Sequence, residues 1–304
     1  MEKPQFGWAL LHPRYWFLWL ALGLWWLVVQ LPYPLLVMLA RLLGPILQRL
    51  GKSRRKVIAA NLRLCFPELS AAQREAMLRA NFFSVAMALF ETGMAWFWPR
   101  WRLRRIYRIS GLEHLPEQPG QGVILMAMHF TTLDIGAAFM NQERQVTGMY
   151  RPHKNAVYDY VQRRGRERHW RDCRAITRKD VRGMLRALRQ RSIVWYAPDQ
   201  DYGPKQSVFV PFFGVPAATV TATAKFAELG RAQVIPFVQR RLPGFGGYQV
   251  TVYPPLQGFP CGDEAADATF INQFVEARVR EQPEQYLWAH RRFKTRPPGE
   301  PPLY

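Results

Sequence analysis

The stretch Val123-Ile124-Leu125-Met126-Ala127-Met128-His129-Phe130-Thr131-Thr132-Leu133-Asp134 decides the fold. Its opening apolar run, unbroken through Met128, is what a strand buried on both faces requires, as in a parallel sheet covered by helices. The run delivers an imidazole and a carboxylate to its end. On one continuous helix, five steps would set the two side chains roughly 140° apart, so a turn must intervene if they are to meet. A strand ending at His129, a short turn and a helix opening near Asp134 would let the carboxylate bond one ring nitrogen. The other nitrogen would then be free as a base. Two plainer readings stand beside this one: Thr131-x-x-Asp134 has the spacing of a capping box, which would make Asp134 a cap, and His129 could be a hydrogen-bonded core histidine.

Working outward, apolar runs alternate with helical stretches from Gly122 onward. Strands are expected at residues 123–128, 145–150, 192–197 and 233–238, with helices near 133–140, 155–166, 178–189 and 217–229. This is an α/β pattern, a mixed, largely parallel sheet flanked by helices. Pro243-Gly244-Phe245-Gly246-Gly247 marks a hairpin turn before a strand at 248–253, and a helix near 266–281 closes the domain. Gly244-Phe245-Gly246 is a turn and not a phosphate loop, since neither a Walker pattern nor the full dinucleotide fingerprint accompanies it. Upstream, Ser70-x-x-Gln73 predicts a capping box opening a long helix to about Phe90. Arginines alternate with apolar residues over 100–108, which suggests a strand or edge with a basic face.

The chain has 304 residues, 49% of them hydrophobic, and carries a net charge of +20. That is enough apolar sequence for a sizeable core, and the charge calls for an anionic partner: nucleic acid, a membrane surface, an acidic carrier protein or a phosphorylated substrate. The N-terminal region narrows the choice. No Asp or Glu occurs between Lys3 and Pro67, and the run from Tyr15 to Ala40 has no formal charge. Pro32 and Pro34 divide it into a helix near 16–31, at the short end for spanning a bilayer, and an amphipathic one near 35–50. Trp16, Trp19, Trp25 and Trp26 suit an interfacial belt, and the basic flank after residue 40 puts the rest on the cytoplasmic side. Residues 1–50 are therefore expected to be a membrane anchor with an amphipathic helix, and 51–304 a cytoplasmic-side α/β domain. Three widely spaced cysteines and six histidines without HxxH or HxxxH spacing imply no disulfide framework and no metal site.

Several ordered segments resemble the late acyltransferases of lipid A biosynthesis, the lauroyltransferase type. They are Leu10-Leu11-His12-Pro13-Arg14-Tyr15-Trp16, VVQLPYP at 28–34, ETGMAWFWP at 91–99, Tyr150-Arg151-Pro152, VWYAPDQDYG at 194–203, SVFVPF at 207–212 and QYLWAHRRFKTRP at 285–297. The resemblance implies an enzyme of the bacterial inner membrane that moves a fatty acyl group from acyl carrier protein to the hydroxyl of a 3-hydroxyacyl chain on a Kdo-bearing lipid A precursor. It implies no cofactor and no nucleic-acid partner. His129 would be the base and Asp134 its orienting carboxylate. Arg166 matches a family arginine near the active site, Arg151 sits in the Tyr-Arg-Pro motif and Asp199 in Ala-Pro-Asp. Head-group contacts are expected within the 163–182 cluster, at Arg171 and Arg174 among others. Asp199 and Asp201 read locally as turn residues before Gly203-Pro204, and family position moves Asp199 toward function. The nearest rival reading is a glycerophosphate or lysophospholipid acyltransferase, against which stands the absence of a Glu-Gly-Thr-Arg phosphate motif. A membrane-anchored binder of anionic lipid without chemistry would leave the histidine and carboxylate at a strand end unexplained.

Overall fold

The computed structural model describes residues 5–170 and 175–304. It opens with α1 (Trp16–Val29) and α2 (Tyr33–Leu50). Pro32 caps α2 and Pro34 lies in its first turn, where a missing N–H breaks no helix bond. An unanticipated helix, α3 (Lys52–Cys65), precedes α4 (Ala71–Phe97). At the start of α4, Ser70 and Gln73 close the reciprocal box that their spacing predicts, at 3.2 and 2.8 Å. The basic stretch expected as one strand or edge is instead a short helix, α5 (Arg100–Arg104), followed by β1 (Tyr107–Ser110). Arg102 explains the difference, because it reaches the Gln30 carbonyl at 2.8 Å and stacks on Trp98, contacts that an extended chain would not make.

The α/β alternation follows: β2 (Gly122–Met126), α6 (Leu133–Glu143), β3 (Val146–Tyr150), α7 (Ala156–Glu167), β4 (Ile176–Thr177), α8 (Val181–Arg189) and β5 (Ile193–Tyr196). After them come β6 (Ser207–Phe212), β7 (Val215–Val220), α9 (Ala222–Gly230), β8 (Ala232–Arg241), β9 (Tyr248–Val252) and α10 (Glu264–Glu281). The helix expected over 217–229 begins only at Ala222, because the residues before it pair antiparallel with β6. That hairpin turns on Phe213 and Gly214, both at positive φ, the geometry that matches the twist of paired strands.

The main sheet has the order β1-β9-β8-β2-β5-β3-β4, and only its β8–β9 pair is antiparallel. Alternation along β2 divides the core. Val123, Leu125 and Ala127 face α4 and α6, whereas Ile124, Met126 and Met128 face the side of α8, α9 and α10. Beneath the first face Glu91 and Arg241 form a buried pair, with Nε and Nη2 at 2.7 and 2.9 Å from the carboxylate and Tyr248 donating to it at 2.6 Å.

Helices α1 and α2 pack on α4. Gly44 permits the close approach, since a Cβ there would stand 3.1 Å from the Phe83 Cα. Trp25 donates to the Leu89 carbonyl at 3.1 Å and fixes α1. Their outward faces are apolar: Phe17 is 87% exposed, Leu42 69% and Leu50 78%. Among the described residues, α2 is the one helix long and apolar enough to cross a membrane, and α1 is shorter.

Candidate active site

β2 and β5 are parallel neighbours in which Met126 pairs with Tyr196, the last residue of each strand. Both chains continue in step past the sheet edge. The third residue beyond Met126 is His129, and the third beyond Tyr196 is Asp199. His129 Nδ1 lies 2.6 Å from Asp199 Oδ1, and the His129 backbone N–H donates to Oδ2 at 2.8 Å. Tyr286 donates its hydroxyl to the same Oδ2 at 2.9 Å. An ionised carboxylate only accepts, so Nδ1 carries a proton, and it is Nε2 that holds the lone pair whenever the ring is neutral. No hydrogen bond occupies Nε2 among the described residues, and the ring lines a cavity of about 970 Å³.

Burial opposes ionisation of Asp199, but the neighbouring His129 charge, the ring and backbone N–H donors and Tyr286 together hold its carboxyl below the usual carboxylate range. Burial, then the Asp199 charge, push the Tyr286 phenol far up, so it stays a donor. The loop carrying His129 is clamped from the far end of the chain. Thr131 N–H donates to the Gln285 carbonyl at 2.7 Å, and Leu287 N–H to the His129 carbonyl at 2.9 Å. Asn81 binds the carbonyls of Glu284 and Tyr286 at 2.9 and 2.8 Å, which ties that segment to α4.

Asp134 does not touch the histidine. It stands in the first turn of α6, and its Oδ1 accepts from Arg166 Nε and Nη2 at 2.9 and 2.7 Å. The carboxylate that meets the imidazole is thus Asp199 and not the expected Asp134. The reason is topological: an adjacent parallel strand brings Asp199 to the height of the imidazole, and the single Nδ1 proton is then taken. Nor is Asp134 a simple cap, because the α6 cap residue, Thr132, makes no side-chain bond to the helix.

Arg151 and Arg166 both line the cavity, joined by Arg178, Lys179 and Lys294 at its basic mouth. Arg171 and Arg174 lie outside the described residues. Asp201, by contrast, is a turn residue, accepting from Gly203 N–H at 2.8 Å and from Thr295 N–H at 2.8 Å. No group of three or more His, Cys, Asp or Glu side chains among the described residues could hold a metal ion.

A family model described as bacterial lipid A biosynthesis acyltransferase matches residues 3–295. The chain belongs to that family. It is 47% identical to the lipid A biosynthesis lauroyltransferase of Escherichia coli K12, covering 99% of each chain. It is 42% identical to that organism's lipid A biosynthesis palmitoleoyltransferase over 99% of this chain and 98% of the other. A lipid A biosynthesis acyltransferase of Haemophilus influenzae is 41% identical, covering 99% and 97%.

In this lipid A acyltransferase the sequence reading missed three contributors: Tyr286, Asn81 and His290. Tyr286 carried a signal of sorts, since it lies in the 285–297 motif, but nothing local links it to residue 199. His290 lines the cavity, and its Nε2 accepts from Asp201 N–H at 3.1 Å. Burial, with the His129 and Arg292 charges, pulls its pKa down to about 4, so it stays neutral beside His129 at neutral pH.

Proposed function

We propose that this acyltransferase moves a fatty acyl group from acyl carrier protein to the hydroxyl of a 3-hydroxyacyl chain on a Kdo-bearing lipid A precursor, with His129 as general base. The observation that carries the reading is the oriented imidazole, its Nδ1 on Asp199 and its Nε2 open to the cavity. Nε2 takes the acceptor hydroxyl proton as that oxygen attacks the thioester carbonyl. The tetrahedral oxyanion collapses, the C–S bond breaks, and the imidazolium returns its proton to the leaving thiolate. Arg166, held by Asp134, is the cation we assign to the developing oxyanion or to an acceptor phosphate near it; Arg151 serves the acceptor head group. We read residues 1–50 as the part that seats the enzyme on the inner membrane and 51–304 as the cytoplasmic-side catalytic domain. The apolar outer faces of α1 and α2 and the basic residues from Arg41 to Arg63 support that reading.

The test is acyl transfer by detergent-solubilised enzyme, offering Kdo-bearing lipid A precursor and lysophosphatidic acid in competition and weighing the product. His129→Ala and Asp199→Asn are expected to lower kcat by about 10²–10⁴-fold, the usual worth of a positioned base and of its correct tautomer. Asp134→Asn is expected to spare the base and weaken the Arg166-dependent step instead. Transfer to the lysophospholipid alone, or an active His129→Ala, would overturn the proposal.

A further inference from the structure

The cavity at His129 is bordered by residues from both faces of the sheet. Met149 and Tyr196 open onto it from the face of α8 and α9, with Phe226 against Tyr196 at 5.5 Å. On the opposite face it runs beneath α4, α6 and α7, between Ala137 and Ala138 on one side and Val146 and Trp195 on the other. Ala137, Ala138, Val146 and Trp195 give this arm the apolar surroundings a hydrocarbon requires, while Asn141 of α6 and Gln162 and Glu167 of α7 add polar groups to its lining.

Gly148 stands in the wall of that arm, in the middle of β3. Its φ is not among the positive values, so no turn demands glycine there. Glycine weakens a strand interior and leaves it without packing, unless something else occupies the space. Among the described residues, a Cβ built on Gly148 meets no atom within 4 Å, so on their side the room above it is open cavity. Gly148 pairs with Trp195, which pairs with Leu125, so it lies at a level four residues before His129 and two strands across. That places it about 13 Å down the strands and about 10 Å sideways from the base, within reach of a medium-length acyl chain whose carbonyl sits at His129.

Resting on the acyl-transfer reading, we propose that the arm beneath α4, α6 and α7 holds the donor's acyl chain and that Gly148 sets the length accepted. The missing side chain is the space for the last methylenes, and any side chain at 148 shortens the arm from its wall inward.

The experiment uses full-length enzyme and acyl carrier proteins charged with saturated chains of stepwise increasing length. Against wild type, Gly148→Ala and Gly148→Val are expected to move the optimum to shorter chains, in that order. Val should cost about 10–200-fold in kcat/KM for the longest accepted donor, the range for a methylene a pocket cannot hold, while short donors keep their rates. An unchanged length profile, or an equal loss at every length, overturns the inference. A parallel measurement needs no acceptor: the rise in Tm given by free fatty acids of each length, which should peak at shorter chains in both variants. If wild type transfers to no acceptor yet this peak moves, the functional reading fails and the acyl arm stands. If transfer proceeds and neither profile moves, the reverse holds.

Discussion

At the scale of single residues, acid sensitivity is written into two half-buried histidines. Burial, with the Arg168 and Arg100 charges, holds His169 down to about 4, and burial with the His129 and Arg292 charges does the same to His290. In the unfolded chain each returns to about 6.5. Between these values the unfolded state binds protons that the folded state refuses, so stability rises as pH climbs through that window. Asp199, held below its ordinary range, acts in the same direction at lower pH: its contribution is complete at neutrality and lost as pH falls through its folded value. Unfolding midpoints measured from pH 4 to 7 should therefore climb, and His169→Gln with His290→Gln should flatten the climb. A slope that survives both substitutions would locate it elsewhere. The residues also show what a sequence can and cannot say. His129 was legible, because a buried strand announces its own end. Its partner was not, since Asp134 is close along the chain while Asp199, 70 residues away, is close in space. Strand adjacency is absent from local spacing, although two apolar runs each trailed at the same interval by an ionisable residue were there to be matched.

At the scale of elements, α4 does most of the organising. It carries Glu91 to Arg241, Asn81 to the segment behind His129, and the packing surface for α1 and α2. Replacing Glu91 by Ala leaves a buried guanidinium without its partner and should cost about 3–5 kcal/mol in urea unfolding. A joint replacement of Glu91 and Arg241 by Leu and Met should recover most of that loss, whereas a double variant that loses the sum of the two single losses would assign the pair no coupling. Periodicity read these elements well where an apolar stripe or a buried run dominated, as in β2, β3, β5 and α7. It failed in α3, whose exposed face carries Lys52, Arg54, Arg55 and Lys56 and reads as mere charge, and in β7, whose Ala217 and Ala218 suit a helix until β6 pairs with them. In both places a tertiary partner outweighs local preference.

At the scale of the whole molecule, charge and apolarity are arranged together. The outer faces of α1 and α2 are greasy, and the adjoining residues from Arg41 to Arg63 are basic without an acid among them. Sedimentation with anionic phospholipid vesicles should carry the wild-type protein down, less completely as salt is raised. Phe17→Asp and Leu42→Glu should each release protein to the supernatant without lowering Tm, because both side chains project from the fold. Binding that depends on salt yet ignores these two substitutions would reduce the contact to surface charge.

The clamp on His129 also has a consequence in time. Gln285, Tyr286 and Leu287 grip the loop that holds His129, and Asn61 in turn binds the carbonyls of Trp288 and His290 at 2.7 and 2.8 Å. During synthesis the greasy helices leave the ribosome well before the clamp does. The growing polypeptide therefore exposes its apolar helices long before the segment that fixes the His129 loop exists, so the site is the later part of the molecule to take shape.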